Sequence, residues 1–383
     1  MATTPRPDAR AEEAPVVVAA LRTPIGTAGH ALAAVTAVDL AAPVLASLAA
    51  HHAPDEVVLG NCMGPGGNVA RVAALAAGLP AAVPALTVDR QCGSGLAAIV
   101  LACSLVRSSP GTVLAGGVES ASTAPWRFWP PGPDVEPERY ERAPFAPEAL
   151  GDPDMGLAAD LLAESHGVSR ESQDAYAARS HALAVATAES GGFAEEIVPV
   201  AGLSADERPR SGLTAMRLSR FRPAFRPGGT VTAGNACGVN DGAAAVAVVD
   251  AATHSRLSIP GLRVLATATT GVDPNRPGFG IVPAVGLALS RAGLGLEDMD
   301  VVELNEAFAG QVLACCAALG LEPERVCVEG GALALGHPWG ASGAVSVVRL
   351  FSQLVRRDRG RYGLAAIAVG GGQGVAMVVE RCR

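Results

Sequence analysis

The sequence predicts an α/β fold built on a largely buried sheet. Three observations lead there. Short apolar runs alternate with longer Ala- and Leu-rich runs that read as helices. Hydrophobic residues make up 49% of the 383 and charged residues 17%, which supplies a sizeable core and is far from a disordered composition. A unit of Ser-Gly, apolar helix, strand and Gly-Gly occurs twice, at Ser94–Gly117 and at Ser342–Gly371. At about 100–200 residues per domain, the length fits two domains or one large duplicated one.

The first buried strand is 15–20, and Ala31 to Ala50 reads as a helix. Glu56–Leu59 and Ala85–Val88 are short strands, the second leading through Asp89-Arg90 into Gln91-Cys92-Gly93-Ser94-Gly95. Leu96–Arg107 reads as a buried helix, and Gly111–Ala115 as a strand ending at Gly116-Gly117. From about Glu119 to Pro227 the rhythm breaks. Residues 123–153 are rich in Pro, Trp, Arg and Glu, and Met155 to about Gly192 is helical. This segment reads as a long excursion from the sheet that caps a site. The α/β rhythm returns at Val231. Helices follow at Ile281–Gly293 and Phe308–Leu319, with a strand at Val301–Leu304 between them. Gly340 to Arg356 reads as a glycine turn and then a helix, and Leu364–Val369 as a strand ending at Gly370-Gly371-Gly372.

Composition excludes several classes of function. The formal net charge is -8, and a nucleic-acid binder needs a basic face. Every cation is Arg; without Lys there is no Walker-type phosphate-binding Lys, no Schiff base and no Lys nucleophile. The N-terminal stretch Met1–Pro15 lacks the apolar run of a signal peptide and reads as a disordered lead-in. The longest apolar run, near Leu96–Val106, is short of a membrane span, so no membrane partner is expected. The eight cysteines form no Cys-x-x-Cys pair, and free thiols in the cytoplasm are expected. The seven His are scattered, and no metal site is expected.

Five segments have the residue types for chemistry. Cys92 stands between a strand and a buried helix, where helix N–H groups and dipole favour a thiolate. A buried structural Cys, or a loose nucleotide loop at Gly93–Ala98, would leave the same trace. His337 lies in the glycine-bounded loop Gly330–Gly343, constrained enough to hold a base, although a lone His is more often structural. Asn305, in Glu303–Phe308, suits either a water-holding amide or a helix N-cap. Gly370–Gly374 offers bare N–H groups for an oxyanion, or is only a turn. Gly229–Gly242 is dense in small residues, which fits a narrow wall and close helix–sheet packing equally.

Together these segments resemble the thiolase family. Arg22-Thr23-Pro24-Ile25-Gly26, the Cys92 pentapeptide, Thr230–Asp241, Asn305–Phe308, Gly336-His337-Pro338 and Gly370–Gly374 stand in the family's order and at near-family spacing. The resemblance implies a five-layered αβαβα fold of two duplicated halves, 1–255 and 256–383, with a loop domain at about 119–227 inserted in the first. It implies that Cys92 is the acyl-accepting nucleophile and His337 its activator. His337 and a water on Asn305 would form one oxyanion hole, the N–H groups of Cys92 and Gly370 a second. Met155, Cys237, Ala307 and Phe308 would line a channel for the pantetheine arm. Acyl-CoA would be the substrate, with no cofactor beyond such thioesters, and the chain would form a homodimer or homotetramer.

Three positions depart from the family pattern. The second family Cys, which exchanges the α-proton, is here Ala368. The Ser usual in the Asn-Ala-Ser-Gly motif is Cys237, and the His often found before Met-Gly is Asp154. Acyl loading needs only Cys92, His337 and an oxyanion hole. Claisen chemistry also needs a base at the α-carbon, and general base catalysis is worth ~10²–10⁴-fold. The reading is therefore an acyltransferase working through S-acyl Cys92, with C–C bond formation favoured and Cys237 or a His337-bound water as substitute base. The alternatives are decarboxylative condensation of the ketoacyl synthase kind, transfer to an amine or alcohol, and a catalytically silent scaffold, which the intact Cys92–His337 pair argues against.

Overall fold

The computed structural model describes residues 13–133 and 135–383. The lead-in expected at Met1–Pro15 lies almost wholly outside the described residues. The strands are β1 Val16–Arg22, β2 Gly26–Thr27, β3 Glu56–Gly60, β4 Ala85–Val88, β5 Thr112–Ser120, β6 Arg127–Phe128, β7 Arg139–Tyr140, β8 Asn240–Val249, β9 Gly261–Gly271, β10 Val301–Leu304, β11 Tyr362–Val369 and β12 Gln373–Cys382. The helices are α1 Ala37–Ala49, α2 Val69–Ala76, α3 Ser94–Ser108, α4 Met155–Ser165, α5 Arg170–Glu189, α6 Ala215–Leu218, α7 Ala251–Leu257, α8 Ile281–Ala292, α9 Ala309–Leu319, α10 Ala332–Leu335 and α11 Trp339–Phe351.

The strand order repeats. In the first half β4, β3 and β5 run parallel, and β8 and then β1 follow antiparallel. In the second half β10 and β11 run parallel, and β12 and then β9 follow antiparallel. A lone parallel bridge from Val302 to Val326 stands where β4 has its counterpart. The two sets join through β1 and β9 at Val16↔Arg263 and Val17↔Leu262.

Period-2 alternation builds the layers. In β8, Ala244, Val246 and Val248 face a core shared with α3 and α11, while Ala243, Ala245 and Val249 face α1 and α2. In β11, Ala365, Ile367 and Val369 face α3 and α11, while Leu364 and Ala366 face α8 and α9. The order is thus helix, sheet, helix, sheet, helix, with α3 and α11 in the middle layer. Strands buried on both faces carry no polar alternation. The apolar runs of β8 and β12 are therefore unmarked in the sequence, whereas β9 alternates, with Leu262, Val264, Ala266 and Ala268 on its buried side.

Other boundaries shift for local reasons. The first helix begins at Ala37 rather than Ala31, because the Thr36 side chain accepts from Asp39 N–H and caps it. Gly116 and Gly117 lie inside β5, which runs on to Ser120, rather than ending it. A side chain at Gly116 would overlap the Ala244 carbonyl, and one at Gly117 the Gly340 carbonyl. Gly340 sits within α11 rather than in a turn before it. The helical stretch from Met155 is two helices, split at Gly167, whose φ is +65°.

The excursion from the sheet is tied down by buried ions. Arg22 of β1 bonds Glu196 at 2.7 Å and Asp206 at 2.7 Å, and Arg349 of α11 pairs with Glu196 and Glu329. Arg22, Glu196, Glu329 and Arg349 are all buried, so each charge depends on the others.

Gln91–Ser108 has the length and mean hydropathy, 1.3, of a membrane span. Its place between two sheets accounts for that apolar character.

Gly117→Ala should destabilise the protein by about 1–3 kcal/mol through overpacking against Gly340, read as a lower urea midpoint with an unchanged slope. A midpoint equal to wild type would refute the close packing.

Candidate active site

Cys92 is delivered by a strained turn. The Asp89 carboxylate accepts from Gln91 N–H at 2.7 Å, and the Ser94 hydroxyl donates to Gln91 O at 2.6 Å while accepting from Arg90 N–H at 2.8 Å. These bonds hold Gln91 at φ +45°, a region costly for a side-chain-bearing residue. α3 starts two residues after Cys92.

Glycines bring the other segments close. A Cβ on Gly93 would stand 2.6 Å from Val369 Cγ2, which sets Cys92 beside the Gly370 turn. A Cβ on Gly95 would stand 2.8 Å from Gly340 O, and one on Gly343 2.7 Å from Leu96 Cβ. The N-terminal ends of α3 and α11 therefore meet, and Cys92 and His337 precede the two contact glycines by three residues each.

The electrostatics correct one expectation. Burial pushes the Cys92 thiol up to about 12, and the neighbouring Cys237 pushes the same way. The N–H groups of Cys92 and Gly370 act on the sulfur in the opposite sense but do not prevail. Cys92 keeps some accessible surface, yet the protein around its sulfur is as dense as the interior. The resting group is a thiol, not the thiolate that a helix N-terminus alone would favour. Burial brings His337 down to about 4, so it rests as a neutral imidazole.

The tautomer of His337 follows from its partners. Nδ1 lies 2.6 Å from Ser342 Oγ, and Ser342 Oγ lies 3.0 Å from Pro338 O. A carbonyl only accepts, so the Ser342 O–H is given to Pro338. Oγ then accepts from Nδ1–H, and Nε2 keeps the free lone pair. His337 N–H is held by Asn240 Oδ1 at 2.9 Å.

Asn305 follows β10, its N–H donating to Ala366 O at 2.9 Å. It is not the helix cap: that position is Phe308, which has no side-chain cap bond. Among the described residues the Asn305 amide has no side-chain hydrogen bond, so it is available to a ligand. The Gly370 turn does bend as a turn, with Gly371 and Gly372 both at φ +80°.

The four expected channel residues fall at two contacts. A side chain at Gly156, next to Met155, would overlap Phe225, and Phe225 packs edge-on to Phe308 at 6.1 Å. Cys237 N–H donates to Ala307 O at 2.9 Å. Asp154, in the place of the family His, caps α4 by accepting from Gly156 N–H at 2.9 Å. The small-residue run is partly packing and partly wall. Gly234 fits against Leu218, and Ala233 and Gly234 line a cavity of about 390 Å³ with Arg208, Arg210 and Arg217.

Sequence reasoning missed Ser342, Arg208, Phe225 and Glu119. Glu119 is fully buried and accepts from the N–H groups of Cys62, Met63 and Gly340 and from Asn61 Nδ2, at 3.0–3.1 Å. Burial raises its pKa, partly offset by those donors. A cavity of about 1210 Å³ lies farther along α3 beside Arg107, Asp250 and Arg291. Its one thiol, Cys103, is buried and likewise pushed up to about 12, and no histidine lines the cavity. Among the described residues no cluster of His, Cys, Asp or Glu could hold a metal.

The families described as "Thiolase, N-terminal domain" and "Thiolase, C-terminal domain" match residues 15–252 and 260–381. The chain belongs to the thiolase family. As a member of it, the chain is an acyltransferase. An "Acetyl-CoA acetyltransferase" of Pseudomonas aeruginosa is 43% identical over 96% of this chain and 99% of its own. A "Putative acetyl-CoA C-acetyltransferase" of Bacillus subtilis is 42% identical over 95% of this chain and 98% of its own. The crystal structure of the Bacillus anthracis acetyl-CoA acetyltransferase superposes with a TM-score of 0.88 at 40% identity, covering 97% of this chain and 99% of that one.

Ser342→Ala should cost a sizeable part of the ~10²–10⁴-fold that a positioned base supplies, measured as the rate of acyl loading. In wild type the acid limb of that rate should fall at about 4 rather than at the ordinary 6.5 of His. A limb at the ordinary value would show that His337 is not the buried neutral base.

Proposed function

We propose that the protein moves acyl groups from coenzyme A thioesters through an S-acyl Cys92 intermediate, with C–C bond formation as the favoured outcome. One observation carries this reading. A neutral thiol and a neutral imidazole sit at the junction of two helix N-termini, with the N–H groups of Cys92 and Gly370 acting on the sulfur. His337 Nε2 takes the thiol proton as the sulfur attacks the thioester carbonyl. The N–H pair of Cys92 and Gly370 then stabilises the oxyanion. His337 returns the proton to the departing coenzyme A thiol, and the acyl group remains on Cys92. A water on Asn305, together with His337 once its Nε2 carries a proton, holds the carbonyl of the second thioester.

Met155, Cys237, Ala307 and Phe308 line the pantetheine arm. The cavity at Arg208, Arg210 and Arg217 suits the phosphates of coenzyme A, since guanidinium forks match phosphate oxygens. Coenzyme A thioesters are the only small molecules the reaction needs. The reading includes a cytoplasmic homodimer or homotetramer of two thiolase halves, 1–255 and 256–383, with a loop domain inserted at about 119–227.

A second reading rests on Ala368, whose methyl cannot accept a proton. It is decarboxylative condensation, or transfer to an amine or alcohol, neither of which needs a separate base at an α-carbon.

The test is thiolysis of acetoacetyl-CoA, with Cys92→Ala as the blank. Cys92-dependent turnover supports C–C chemistry. Loading of Cys92 by acetyl-CoA without turnover supports the second reading. No loading, seen by intact mass, refutes both. Ala368→Cys should raise thiolysis. Arg210→Ala should raise KM for the thioester roughly 10–100-fold with kcat nearly unchanged, the value of a charge-assisted bond made equally in ground and transition states.

A further inference from the structure

The segment Ala236–Val239 makes one bridge to the Asn305 loop and one to His337. One edge of this segment is bonded to the Asn305 loop, through Cys237 N–H to Ala307 O at 2.9 Å and a bridge between Ala236 and Phe308. The other edge pairs Val239 with His337. Side chains alternate along an extended segment. Ala236 and Asn240 are buried, whereas Cys237 and Val239 keep accessible surface and so share the open side. The Cys237 thiol thus stands between the Asn305 loop and His337. The Asn305 loop is in turn bonded to β11, through Asn305 N–H to Ala366 O, two residues before Ala368.

Cys237 has a cation for company. Arg208 donates to Ala236 O at 3.0 Å and to Leu333 O at 3.1 Å, which fixes the guanidinium beside the segment. Gly238 makes room for it, since a Cβ there would lie 2.7 Å from Arg208 Nη1. Burial pushes the Cys237 thiol up to about 12, and Arg208 draws it back down. A guanidinium stays charged at any working pH. It is therefore a constant stabiliser of a thiolate at Cys237.

We propose that Cys237, with Arg208 as its positioning residue, is the group that exchanges a proton with the α-carbon of the second acyl thioester. This rests on the S-acyl Cys92 reading above. In condensation His337 Nε2 takes the Cys237 S–H proton, and the Cys237 thiolate takes one α-proton, so that the C–H electron pair becomes the carbanion of an enolate. The carbanion attacks the carbonyl carbon of S-acyl Cys92, the new C–C bond forms, and the C–S bond breaks to release the Cys92 thiolate, which takes the proton held on His337. In thiolysis the Cys92 thiolate attacks the β-carbonyl, the Cα–Cβ bond breaks, and Cys237 S–H protonates the departing carbanion. No oxidant, reductant or further reactant enters.

The experiment follows deuterium uptake into acetyl-CoA in heavy water, with acyl loading of Cys92 read in parallel by intact mass. Cys237→Ser is nearly isosteric, and its hydroxyl is far too weak an acid to serve. It should lower exchange and thiolysis ~10²-fold or more, well beyond any loss of loading. Ala368→Cys in the Cys237→Ser background should restore exchange, which a merely structural role for Cys237 would not allow. Arg208→Gln should slow exchange more than loading. Wild-type exchange in Cys237→Ser, parallel loss of loading and exchange, or a wild type that loads but does not exchange would each overturn the proposal. A wild type that does not load at Cys92 would overturn the S-acyl reading itself.

Discussion

The constraint on which the rest depends is the close approach of two helix N-termini inside a sandwich of sheets. α3 and α11 meet at Gly95, Gly340 and Gly343 with no side chain between them. Each end carries the positive pole of its helix dipole, and two such poles facing each other repel. Glu119 supplies the counter-charge. Its buried carboxylate accepts from Gly340 N–H at the start of α11 and from the loop beside Cys92. The duplicated topology brings the two ends together, one from each half of the chain, and the carboxylate makes the meeting tolerable.

Burial then decides the state of the reactive groups. The dipole of α3 and two N–H groups favour a thiolate at Cys92, yet desolvation outweighs them. The same desolvation leaves His337 unprotonated. A neutral pair in a dry site is poised rather than charged. Charge appears only when a thioester carbonyl enters and the N–H pair of Cys92 and Gly370 can stabilise it. The serine that fixes the imidazole belongs to α11, so the helix whose end shapes the site also sets which ring nitrogen is free.

How much of this was legible in the sequence depended on whether a residue acts through its own neighbours in the chain. Cys92 and His337 announce themselves, because glycines and a proline crowd around a reactive residue only where a backbone must turn tightly. The strands with flanking turn residues, such as β4 and β10, were read to the residue. β8 and β12 were not, because burial on both faces erases the alternation that marks a strand. Gly116-Gly117 was read as a strand end, when a carbonyl 223 positions away from Gly117 demands its missing side chain. Arg208 and Glu119 act on groups far away in sequence, and nothing local distinguishes them from surface charges. From the sequence Asn305 suits a cap and a free amide equally, and the three-residue gap before α9 decides for the free amide.

The glycine contacts also limit how such a site can change over time. Any residue larger than glycine at the junction drives two helices and two sheets apart at once, so the route through those positions is closed. Novelty has to enter where a substitution alters chemistry at nearly constant volume, as between serine, cysteine and alanine on the site's floor. It can also enter in the excursion that roofs the site, which is tied to the scaffold by ion pairs as well as by packing. A rigid middle and a replaceable roof allow one frame to be inherited unchanged while the proton-transfer group moves from one wall to another.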